Sequence, residues 1–227
     1  MIYRYIFWDN DGVLVDTERY YLQASREALA RVKIELSNEQ FAEISLAAGR
    51  SIFDIAVASG IPEQSIAELK EWRYRRYAEL LEQEEIALDG AADVLKRLHG
   101  RLGMAVVTSS QKHHFEIIHR RTGFLDYFDF CLTREDYTRS KPSAEPYLMA
   151  LKQCGHAAEN VLVIEDSPRG LKAAKAAGLA CWVIPGHHVS AGFCRGRPGS
   201  LRYQGRHAIH IVRNSDSRTF FSHFSQN

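Results

Sequence analysis

The feature that most constrains this chain is a change of rhythm after its first strand. Residues 2–8 (Ile-Tyr-Arg-Tyr-Ile-Phe-Trp) are β-branched and aromatic and read as a buried strand ending at Asp9. From about Asp16 to Glu85 the pattern is helical only. Leu22, Ser25, Arg26 and Leu29 recur at helical spacing, and Pro62 opens a long stretch with Ile66, Leu69, Trp72, Tyr77 and Leu80. Beyond it, strands over 104–108, 128–132, 160–165 and 180–184 alternate with helices over 90–98, 111–121, 142–154 and 168–177, Asp89 capping the first and Gly178 stopping the last. Such alternation implies right-handed βαβ units and a parallel α/β sheet covered by helices on both faces. The helical block interrupts it after one strand. It is therefore expected to be an inserted all-α cap (16–87), with residues 1–15 and 88–227 forming the core and 187–227 an atypical tail.

Composition narrows the classes. The chain is 45% apolar and 25% charged, as in ordinary globular proteins, and no stretch reads as a membrane span or signal peptide. Cys131, Cys154, Cys181 and Cys194 are far apart and unpaired in pattern, which points to reduced thiols and a cytoplasmic setting. The overall charge of +1 divides into +5 for residues 187–227, with six Arg against Asp216, and −4 for residues 1–186. The arginines are scattered among Gly, Ser and His, so a solvated terminus is preferred over a nucleic-acid arm, and neither nucleic acid nor membrane is expected as a partner.

Four polar clusters fall where strands end, the edge at which open α/β sheets bind ligands. Asp9-Asn10-Asp11-Gly12 offers two carboxylates that can ligate Mg²⁺, or divide nucleophilic attack from proton transfer; an Asp/Gly turn is the plainer reading. Thr108-Ser109-Ser110 can hold phosphate oxygens or cap the next helix. Lys141, placed before a proline-started helix, is a fixed ammonium for phosphate charge or an exposed helix-start lysine. Glu165-Asp166 after an apolar strand needs a cation in compensation, and a helix cap would explain one acid but not both.

Taken in order, Asp9-Asn-Asp-Gly-Val-Leu-Val-Asp16-Thr17-Glu18, Val107-Thr-Ser-Ser110, Lys141-Pro and Ile164-Glu-Asp-Ser-Pro-Arg-Gly170 resemble the four motifs of the haloacid-dehalogenase-like superfamily. The helical insert resembles the small cap of its β-phosphoglucomutase and phosphoglycolate-phosphatase branch, and the likeness spans residues 2–186. It implies a Rossmann-like core and a Mg²⁺-dependent enzyme acting on a small phosphorylated metabolite, as a monomer or homodimer. By that resemblance Asp9 is the nucleophile and Asp11 the general acid and base. Mg²⁺ lies among Asp9, the Asp11 backbone carbonyl and Asp166, with Glu165 nearby, while Gly12, Thr108, Ser109 and Lys141 surround the phosphate.

Asp11 argues against a dehalogenase, which needs no proton donor, and Lys33 and Lys70 are poorly placed for a phosphonatase Schiff base. Arg50, in a glycine-containing cap loop, is a candidate substrate contact, as are Thr17, Glu18 and Tyr21. Asn10 stands where the family has an apolar residue, which suggests an unusual neighbour beneath that loop, and Ala144 replaces a common proline. In the tail, residues 208–212 can supply an edge strand. A phosphatase is the leading expectation, a phosphomutase using the same residues is second, and a catalytically silent binding or regulatory protein is third.

Overall fold

A computed structural model describes residues 3–184 and 209–211 of the chain. Its strands are β1 (Tyr5–Trp8), β2 (Gly103–Val107), β3 (Phe130–Leu132), β4 (Val161–Glu165), β5 (Ala180–Val183) and β6 (Ile209–Ile211). They form one parallel sheet in the order β3-β2-β1-β4-β5-β6, with helices on both faces. Every residue of β1 and β4 is buried, which is why these segments read as unbroken apolar runs instead of alternating ones. Residues 185–208 and 212–227, including most of the basic tail and Cys194, lie outside the described residues. The edge strand expected there is present as β6, parallel to β5.

The chain divides into two compact units, Met1–Asp16 with Ala87–Asn227, and Thr17–Ile86. The inserted unit contains α1 (Glu18–Ala30), α2 (Asn38–Phe41), a π-helical turn (Ala42–Ala47), α3 (Asp54–Ala58) and α4 (Glu63–Gln83). Leu22, Leu29, Phe41, Phe53, Ile66 and Leu69 belong to its own buried cluster. None of the described helices is long and apolar enough to cross a membrane.

The other unit carries α5 (Ala91–Leu98), α6 (Lys112–Thr122), α7 (Glu145–Cys154) and α8 (Pro168–Ala176). Tyr147 and Ala150 of α7 and Ala173 and Ala174 of α8 pack with β1, β2, β4 and β5. Two local expectations need correction. Gly90, at φ 82°, is the residue before α5, and no side chain caps that helix. The helix expected from residue 142 begins instead at Glu145, with its proline, Pro146, inside the first turn. Lys141 therefore belongs to the preceding loop, which frees its side chain from the helix axis.

Candidate active site

The strand order reverses at β1, which lies between β2 and β4. Trp8 is in register with Val106 on one side and Ile164 on the other, so Asp9 leaves the sheet between Val107 and Glu165. Its N–H still donates to the Ile164 carbonyl at 2.9 Å, which continues the ladder by one bond. This is the switch point at which an open α/β sheet has its ligand crevice.

Lys141 ties the three strand ends together. Its Nζ donates to Asp9 Oδ1 at 2.7 Å, the Val107 carbonyl at 2.8 Å and Glu165 Oε1 at 2.6 Å. An ammonium has three protons, and β1, β2 and β4 take one each. The side chain is buried, so the exposed helix-start alternative is excluded. With its three N–H groups committed, Lys141 bears on the site through its charge and its grip on Asp9. Burial would push Lys141 down, but the Asp9 and Glu165 carboxylates outweigh it and hold the ammonium above its usual range. Arg169 donates to the Lys141 carbonyl at 2.6 Å and so anchors the loop from α8.

Burial also pushes the Asp9 carboxyl up to about 7, Glu165 adding to the effect and Lys141 opposing it. Glu165, fully buried, is saturated. Lys141 and the Tyr147 hydroxyl (2.7 Å) bond Oε1, and the Ser167 hydroxyl (3.1 Å) and the Asp166 N–H (3.3 Å) bond Oε2. The cation next to Glu165 is thus the lysine, whereas the adjacent Asp166 is only half-buried. A Cβ on Gly170 would come 1.8 Å from the Glu165 carboxyl carbon, so glycine is required there.

Carboxylate oxygens of Asp9, Glu165 and Asp166 lie within 4.8 Å of one another, the one such acid cluster among the described residues. Hard oxygen donors carrying more negative charge than Lys141 neutralises fit a Mg²⁺ ion. Gly12 closes the cradle: at φ 81° it turns the loop so tightly that a Cβ would come 2.0 Å from Asp166 Oδ2. The Asp11 carboxylate is not in the cluster. Its Oδ2 accepts hydrogen bonds from the Ser110 hydroxyl and from Asn10 Nδ2 (3.3 Å).

Thr108 is buried at the end of β2, where its hydroxyl accepts the Ser110 N–H at 3.0 Å and its carbonyl accepts the Tyr137 hydroxyl at 2.7 Å. Ser109 is exposed. Gln111 precedes α6 with no side-chain cap bond, so these hydroxyls do not serve as the helix cap. Arg50 lies in the inserted unit, exposed and 3.9 Å from Asp54. Tyr21, in the same unit, accepts a hydrogen bond from Arg73 at 2.5 Å.

Sequence reading assigned no role to Tyr147, Arg169 or His119, and took Ser110 only as one of three hydroxyls for phosphate or helix capping, not as a partner of Asp11. Tyr147 looks like one more aromatic on an apolar helix face, and His119 sits at a core position of α6 among Phe115 and Ile118. The odd polar residue Asn10 was the only available signal, and its neighbour is His119, whose Nε2 lies 2.9 Å from Asn10 Oδ1.

Comparison with known proteins agrees with this geometry. A fructose-1-phosphate phosphatase of Escherichia coli, YqaB, is 28% identical over 186 residues, covering 78% of this chain and 94% of that protein. A phosphorylated carbohydrates phosphatase of Thermotoga maritima is 29% identical over 178 residues, 77% of this chain and 81% of its own. The crystal structure of CbbY from Rhodobacter sphaeroides in complex with phosphate superimposes with a TM-score of 0.73 at 25% identity, covering 93% of this chain and 94% of that one. The family profile described as haloacid dehalogenase-like hydrolase matches residues 6–184. The strand order, the four strand-end motifs and this match together establish that the chain belongs to the haloacid dehalogenase-like hydrolases.

Proposed function

We propose that this chain is a Mg²⁺-dependent phosphatase that removes phosphate from a small phosphorylated metabolite, of sugar-phosphate type, through an aspartyl-phosphate on Asp9. The observation that carries the reading is the convergence of Asp9, Lys141 and Asp166 at one strand edge, with the Asp11 carboxylate held separately by Ser110. The phosphatases of phosphorylated sugars among its relatives support the substrate class.

Lys141 holds Asp9 by one oxygen, so the nucleophile approaches phosphorus in a fixed orientation. Asp11 gives its proton to the departing alkoxide as the ester bond breaks, then takes a proton from the water that attacks the phosphorylated Asp9. The Ser109 N–H and the Thr108 hydroxyl contact the non-bridging oxygens, and Lys141 contributes charge behind them. Asp9 and Asp166, backed by Glu165 and the Asp11 backbone carbonyl, would hold Mg²⁺, which neutralises charge on the transferring group. Arg50, exposed in the inserted unit, is the remaining candidate for a substrate contact.

The test is a panel of phosphorylated metabolites with Mg²⁺, read as released inorganic phosphate, with Asp9→Asn as control. Release by the wild-type chain and none by the variant is expected; full turnover by Asp9→Asn overturns the covalent route. Dependence of hexose 1-phosphate conversion on added bisphosphate would identify a mutase instead.

A further inference from the structure

Asn10 and His119 form a buried polar pair where apolar side chains would suffice for packing. Asn10 is 0% and His119 2% exposed. His119 lies on the inner face of α6 with its ring 4.3 Å from that of Phe115, a setting an apolar residue would fill without hydrogen-bond demands. The pair is satisfied in one direction only. Asn10 Oδ1 can only accept, so His119 Nε2 carries the proton across the 2.9 Å bond. His119 Nδ1 then accepts from the Thr122 hydroxyl at 3.0 Å. Thr122 Oγ1 in turn receives the Phe124 N–H at 3.3 Å.

This relay fixes the Asn10 amide, whose Nδ2 donates to Asp11 Oδ2. The Ser110 hydroxyl donates to the same oxygen. Two donors converging on Oδ2 restrict the carboxylate's torsion.

We propose that Asn10 and His119 are positioning residues that hold the Asp11 carboxylate for proton transfer to and from the reacting oxygen. This rests on the phosphatase reading, in which Asp11 is the acid and base. In the first step the Asp9 oxygen bonds to phosphorus and the bond from phosphorus to the alkoxy oxygen breaks. That oxygen keeps the electron pair and takes the Asp11 proton. Water then bonds to phosphorus, gives its proton to Asp11, and the bond to Asp9 breaks.

The experiment compares kcat/KM, which reports the first step, for two substrates with the full chain and Mg²⁺. p-Nitrophenyl phosphate releases an anion that needs no proton, whereas glycerol 2-phosphate releases an alkoxide that does. His119→Phe keeps a ring of similar size but loses the donor. It is expected to lower kcat/KM about tenfold more on glycerol 2-phosphate than on p-nitrophenyl phosphate, a fraction of the roughly 10²- to 10⁴-fold that a positioned acid supplies. His119→Gln, which returns an N–H to Asn10, should recover most of the difference.

The double replacement Asn10→Leu with His119→Leu removes both partners together, avoids an orphaned buried group, and should show the same selective loss in a folded protein. An equal loss on both substrates, or none, overturns the positioning role. A wild-type chain that cleaves neither substrate would instead overturn the phosphatase reading, irrespective of the variants.

Discussion

On the side of Asp9 facing β4, Glu165 is fully buried, bonded at both oxygens and joined to Asp9 by an ammonium. On the side facing α6, Asp11 is half-buried, and both named donors to its carboxylate, Ser110 and Asn10, are neutral. The two flanks use the same functional group, a carboxylate, in different settings. A carboxylate bonded at both oxygens and to a buried cation is fixed as part of a frame. One oriented by a hydroxyl and an amide is placed, in the proposed reaction, to move a proton.

Removing the residue shared by both flanks has the largest effect. Asp9→Asn should lower turnover at least about 10³-fold, while thermal unfolding of the variant shows that the fold is kept. Lys141→Met attacks the locked flank. It strands Asp9 and Glu165 without their shared cation, so stability should fall by about 3–5 kcal/mol at pH 8 in denaturant titrations. The loss should shrink at pH 5, where the stranded carboxyls can protonate; a loss independent of pH would refute the charge argument.

The other flank has its own pH signature. Burial lowers His119 from its ordinary 6.5 to about 4, with Asp11 opposing. The folded value lies below the unfolded one, so the neutral ring's stabilising effect is complete above pH 6.5 and is lost as pH falls toward 4. In that window the wild type should lose up to about 1.4 kcal/mol per pH unit relative to His119→Phe. Parallel stability profiles of the two proteins would show that His119 is not buried as a neutral ring. Tyr147→Phe should have the smallest effect, about 1–2 kcal/mol, because Glu165 Oε1 keeps Lys141 after losing the phenol. Chemical denaturation measures it, and no loss would mean that the tyrosine is dispensable to the frame.

The contrast between the flanks also explains what the sequence revealed. The sheet was legible because β1, β2 and β4 are buried on both faces and therefore written as apolar runs. Asp9, Thr108 and Glu165 were legible because each ends or directly follows such a run, and Lys141 because a proline follows it. Their partners were not. Tyr147 and His119 come from helices, where a core-facing aromatic or histidine satisfies the same periodicity whether it packs or donates. Sequence reasoning also credited a metal with compensating Glu165, because a lysine 24 residues earlier cannot be seen to reach it until the strands are side by side. The start of α7 was misplaced by three residues because Pro142 and Pro146 are both plausible helix openers, and only the second lies in the first turn.

The central claim is that Asp9 carries the phosphoryl group between substrate and water. The chain is mixed with Mg²⁺ and a cleavable phosphomonoester, quenched in acid within the first turnover, digested and analysed by mass spectrometry. One phosphoryl group should appear on the peptide containing Asp9 and vanish as substrate is exhausted. Turnover in the absence of that adduct, with the label on another residue or on none, would contradict it.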